Sequence, residues 1–98
     1  MGMGFTIVSE PSFTDYYEVM RELAECYDTL GFLRVQELEK KAEVWQRDPN
    51  ASIQTRDRTA SYAAATVTTE ILETEARVLA LNVARAYIER YLDAQQHK

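Results

Sequence analysis

Few side chains in this sequence are of a type that does covalent chemistry. There is one histidine, His97, second from the end, and one cysteine, Cys26. Cys26 stands among apolar residues at helical spacing, which predicts a small buried hydrophobe. No cation stands close enough in sequence to favour its thiolate. Carboxylates are plentiful, and Glu18, Glu22 and Glu25 stand at i, i+4 and i+7 on one helical face. A four-helix bundle can hold a metal pair with inward glutamates and a Glu-x-x-His step. No glutamate here has a histidine three positions on, so this row is expected to be a solvated face. A phosphate-cradling glycine loop, a C-x-x-C pair and an H-E-x-x-H step are all missing from the sequence. The expectation is a protein with no catalytic, cofactor-binding or metal-binding residues, and not an enzyme.

Binding chemistry is better represented. Arg47, Arg56 and Arg58 gather around Asp48-Pro49-Asn50, with Lys40 and Lys41 one to two turns earlier. Thr55, Thr59 and Ser61 are interleaved with them. Local ion pairs to Asp48 and Asp57 are one account of this cluster. The other is a contact for phosphate or an acidic partner. Arginine near a helix N-terminus opposes the helix dipole, a mild local conflict that keeps the second account in view. Arg47, Arg56 and Arg58 are therefore the expected partner-binding residues. The chain as a whole carries a formal charge of −5. Such a balance does not attract nucleic acid or an anionic membrane except through a local patch.

The elements that must carry these residues follow from apolar spacing. Residues 1–10 read as a short N-terminal arm, in which Phe5, Ile7 and Val8 could pack on a neighbour. A helix is expected over 12–47, started by Ser12 with Asp15 in the place a capping box reserves for Glu or Gln. Its main stripe is Phe13, Tyr17, Met20, Ala24, Tyr27, Gly31, Val35, Leu38, Ala42, Trp45, which keeps 3.6-residue phase over the whole length. A second row, Val19, Leu23, Cys26, Leu30, Leu33, lies beside it. Gly31 costs about 1 kcal/mol against Ala in a helix interior, so a close approach by another helix is expected there. Asp48-Pro49 ends the helix, because proline disfavours helical geometry at the residue before it. A turn over 48–51 follows, then a second helix over 52–94, capped by Asn50 or Ser52. Alanines 60, 63, 64 and 65 make its start thin, opposite the bulk of Trp45 and Leu38.

The second helix also shows two apolar rows. One reads Ala60, Ala64, Val67, Ile71, Thr74, Val78, Leu81, Ile88, Leu92, with Arg85 intruding. Arg85 is expected to snorkel or to pair with a carboxylate across an interface. The other row reads Leu72, Ala76, Leu79, Val83, Ala86. A single antiparallel partner helix covers only one of the two. Leu72, Leu79, Val83 and Tyr87 are therefore the expected self-association residues. Tyr16, Tyr17, Tyr27, Tyr87 and Tyr91 fall at the end distal from the turn, where Phe5 and Phe13 join them. Tyrosine suits either a core or a partly wet interface.

The stretch Ser52-Ile53-Gln54-Thr55-Arg56-Asp57-Arg58-Thr59-Ala60, followed by Glu70-Ile71-Leu72-Glu73-Thr74-Glu75-Ala76, resembles small helical proteins encoded by tailed bacteriophages. That resemblance implies a helical accessory factor and no particular activity. The secreted WXG family has hairpins of similar length, but this turn has Trp45-Gln46-Arg47 where that family has Trp-x-Gly.

Ninety-eight residues allow one domain. The expected fold is all-α: a long antiparallel helical hairpin that dimerises into a four-helix bundle. The N-terminus lacks the basic start and length of a signal peptide. No stretch approaches the ~18 apolar residues that span a bilayer, so a cytoplasmic protein is expected. The expected function is non-enzymatic protein–protein interaction, as a small phage-type accessory or inhibitor factor. Two alternatives stay open: a nucleic-acid-associated protein using the arginine tip, and a structural virion component.

Overall fold

The computed structural model describes residues 10–97. All regular structure among them is helical: α1 is Phe13–Arg47, α2 is Ile53–Ala63 and α3 is Ala65–Gln96. Most of the expected N-terminal arm, including Phe5, Ile7 and Val8, lies outside the described residues.

Local chemistry explains where the helices begin. The Ser12 hydroxyl accepts from the Asp15 amide at 3.3 Å, and the Asp15 carboxylate accepts from the Ser12 amide at 2.7 Å. This is a reciprocal capping box with aspartate in the glutamate position. Arg47 closes α1, and the Ala51 amide bonds to the Asp48 carbonyl at 3.3 Å across the proline turn. Ser52, not Asn50, caps α2: its hydroxyl accepts from the Thr55 amide at 3.1 Å.

The single helix expected over 52–94 is interrupted at Ala64, where φ is −96° and ψ is 2°. The amide of Ala64 still reaches the Ala60 carbonyl, and the amide of Thr68 the Ala64 carbonyl, at 3.0 and 2.9 Å. The departure is therefore one residue of bridge-region backbone inside a ladder that otherwise continues. Threonines crowd the following turns. The Thr69 and Thr74 hydroxyls donate to the carbonyls of Ala65 and Glu70, a back-bonding that weakens and bends helices.

Contacts divide the chain into two compact units. One takes the residues up to Asp28 and those from Glu75 onward; the other is Thr29–Thr74. In the first, Val19, Leu23 and Cys26 of α1 pack with Leu81, Ala84 and Ile88 of α3, edged by Tyr16, Val78 and Leu92. Tyr16 meets Glu89 and Glu22 meets Arg77, so these two segments run antiparallel. In the second, Leu30, Leu33, Val44, Ala60, Ala64, Val67 and Ile71 are buried. The Thr68 hydroxyl donates to Glu37 at 2.5 Å, and Arg56 lies against Trp45, again in antiparallel order.

Three expectations need correction. On α1 the buried row is Val19, Leu23, Cys26, Leu30, Leu33, while Phe13, Tyr17, Met20, Tyr27, Val35 and Leu38 of the expected main stripe are exposed. Both rows are apolar, but tyrosines in a core need partners for their hydroxyls, and the aliphatic row needs none. Leu38 accordingly does not fill the space beside the alanines; Ala60 and Ala64 are buried, whereas Ala63 and Ala65 are exposed. Finally, a Cβ on Gly31 would meet nothing within 4 Å among the described residues, so none of the described helices approaches it closely.

Candidate interaction surface

The four residues expected to mediate self-association all face outward. Leu72 is 61% exposed, Leu79 68%, Val83 62% and Tyr87 41%. In the first unit the reason is angular. Leu81, Ala84 and Ile88 take the side of α3 that faces α1, and 100° per residue puts Leu79 and Val83 on the far side. An unexpected second set accompanies them on α1. Tyr17 is 68% exposed and Tyr27 54%, with Val35 at 56% and Leu38 at 66% farther along. Scattered exposed apolar residues are normal, whereas aligned rows of this size mark contact surfaces.

Polar groups frame the first unit's core. The Tyr16 hydroxyl donates to Glu89 at 3.2 Å, and that hydrogen bond, before all else, raises the Tyr16 phenol above its ordinary value of 10.0. Tyr16 and Tyr17 meet edge to face, with ring centroids 5.8 Å apart. Arg85 bonds Glu89 at 3.3 Å and the Asn82 side chain at 3.2 Å. Within the chain its carboxylate partner lies one turn along the same helix. A shallow cleft of about 290 Å³ opens beside this network, lined by Phe13, Tyr16, Glu89, Leu92, Asp93 and Gln96.

Two of the three glutamates in the row, Glu22 and Glu25, are in ion pairs, and Glu22 departs from the expected solvated face because its side chain is largely covered. Arg21 grips both oxygens of Glu25 at 3.0 and 3.2 Å, and Arg77 approaches Glu22 at 3.5 Å. The second oxygen of Glu22 is buried without a hydrogen-bond partner. Among the described residues no group of three or more His, Cys, Asp and Glu side chains converges as metal ligands would. Nor is any described helix long and apolar enough to cross a membrane. Cys26 is buried in the first unit's core, and His97 sits 3.4 Å from Asp93 at the exposed end of the chain.

At the proline turn the three arginines have different situations. The Arg56 guanidinium stacks over the Trp45 ring, 5.2 Å from its centroid, and donates to the Asp48 carbonyl at 3.1 Å. It clamps the end of α1 to the start of α2. Arg47 is exposed and shares with Arg56 a cleft of about 210 Å³ lined by Val44, Asp48, Ala51, Thr55 and Thr59. Arg58 is exposed and outside that lining, because two residues along a helix is more than half a turn from Arg56. The cluster is thus one structural clamp with two outward cations, not a single convergent patch. The Trp45–Arg56 contact could have been anticipated, since the short turn brings the residues flanking it together.

No family model matches the chain, and no match is found among curated proteins or solved structures.

Proposed function

We propose that the chain is a non-enzymatic protein–protein interaction protein that self-associates through the outer row of α3. In this reading the helices form an antiparallel hairpin, the dimer is the smallest assembly, and the four helical segments of two copies complete a bundle. The observation that carries the proposal is the exposure of Leu72, Leu79 and Val83, each more than half open to water. Burying one such side chain contributes about 1.5 to 3 kcal/mol, which rewards association. Arg47 and Arg58 supply the outward charge at the turn for an external protein partner, with Arg56 holding the turn in shape. In this reading the chain is a small accessory or inhibitor factor acting on a host or viral protein, which the resemblance of its 52–60 stretch to small phage helical proteins supports.

Light scattering over a concentration series, with Leu79→Glu beside the wild type, tests the proposal. The wild type is expected to exceed the 11.3 kDa of one chain, and the variant to lose mass while keeping its helical circular dichroism. A wild type that stays at one chain mass at every concentration would sink the self-association reading.

A further inference from the structure

The outer row of α1 is symmetric in spacing about one residue, Gly31. Its members are Tyr17, Met20, Ala24, Tyr27, Gly31, Val35, Leu38, Ala42 and Trp45. Counted outward from Gly31, the steps are four, three, four and three residues in both directions. A reversed copy of the same helix, centred on Gly31, therefore matches the row position for position. In three of the four level pairs a large side chain meets a smaller one, Met20 with Ala42, Leu38 with Ala24 and Tyr27 with Val35; the fourth sets Tyr17 against Trp45 at the ends of the row. Such alternation is how facing helices interlock.

We infer that α1 pairs with α1 of a second copy, antiparallel, about a two-fold axis through Gly31. The inference rests on the self-association reading and adds a second contact to it. Three observations carry it. Gly31 lies in mid-helix at a cost of about 1 kcal/mol, and none of the described residues uses the missing side chain, since a Cβ there meets open space among them. On a two-fold axis Gly31 faces itself. Helix axes about 8 Å apart would bring two facing Cα atoms, each about 2.3 Å off its axis, to roughly 3.4 Å, which only glycine accommodates.

The second observation is area. A standard interface takes about 800 Å² from each partner, a little over half of it apolar, or roughly 450 Å². Tyr17, Met20, Tyr27, Val35 and Leu38, at their observed exposures, offer about 400 Å² before the alanines are counted. The third is charge. On one flank of the row, the pairing sets Arg21 within about 3 Å of rise of Glu39 of the partner subunit. A second copy brings the matching spacing, and a glycine opposite Gly31, by symmetry.

The test is a cross-link at the axis. In a Cys26→Ala background, Gly31→Cys places a thiol opposite itself, and axes relaxed to about 10 Å leave the Cα atoms about 5.4 Å apart, within disulfide reach. Under mild oxidation Gly31→Cys is expected to form covalent dimers at least about tenfold faster than Glu43→Cys, an exposed position outside the row, because the contact raises the local thiol concentration. Ala24→Cys and Leu38→Cys chains are expected to link to each other when mixed and to remain unlinked alone. Equal rates at positions 31 and 43, or no mixed link between 24 and 38, would overturn the inference. Adding Leu79→Glu separates the two contacts. A cross-link that persists at lower assembly mass supports both. A cross-link that persists at unchanged mass keeps the α1 pairing and removes the α3 one. Loss of the cross-link overturns the α1 pairing as a contact in its own right.

Discussion

Gly31 shows how a single residue separates the chain's own stability from its association. Its position is helical, and its missing side chain borders empty space. Replacing it with alanine lowers the entropy of the unfolded chain and adds no clash within the chain. Gly31→Ala is expected to stabilise dilute protein by about 0.5 to 1 kcal/mol, raising the thermal midpoint by roughly 2 to 8 °C for a domain of this size. Thermal melts followed by circular dichroism at low micromolar concentration check this, and an unchanged or lower midpoint would contradict it. The sequence marks Gly31 as costly but not why the cost is tolerated. A missing side chain says nothing about its neighbours until backbones are placed. Ser12 and Ser52 are different: capping works through residues three apart, so their roles were legible from spacing alone.

At the scale of elements, α1 carries two apolar rows and α3 carries two, but only one row of each meets the other helix. Along α2 and α3 the spacing identified the buried row, Ala60 through Leu92, including its half-buried Val78 and Leu92. On α1 periodicity could not choose, because two adjacent rows share the same period. Burial went to the row without hydroxyls. The turn joining α1 and α2 adds its own constraint through Arg56, Trp45 and Asp48. Arg56→Ala removes a cation–π contact and a hydrogen bond to a carbonyl, and is expected to cost about 1 to 2 kcal/mol. Arg58→Ala, at an exposed site, is expected to stay within about 0.5 kcal/mol. Parallel urea titrations decide between them. Equal losses would mean that the clamp does not hold the turn.

At the scale of the molecule, the outward apolar rows and the net charge of −5 pull in opposite directions. Like charges on identical copies repel, while apolar burial draws the copies together. Salt screens the first and spares the second. Raising sodium chloride from about 50 to about 500 mM is therefore expected to preserve or strengthen self-association in sedimentation velocity. Dissociation over that range would show that ion pairs, not Leu79, Val83 and the α1 row, hold the copies together.

The sequence by itself determined the helical class, the ends of α1, the proline turn and the excess of apolar surface over what one chain can cover. Each of these depends on residues within a turn or two of one another, or on a count. Which apolar row of α1 faces inward and the interruption at Ala64 were decided only by tertiary structure. The choice of row depends on which of two rows of equal period leaves fewer buried polar groups unpaired once the segments pack; the break falls among alanines, whose local preference is for unbroken helix.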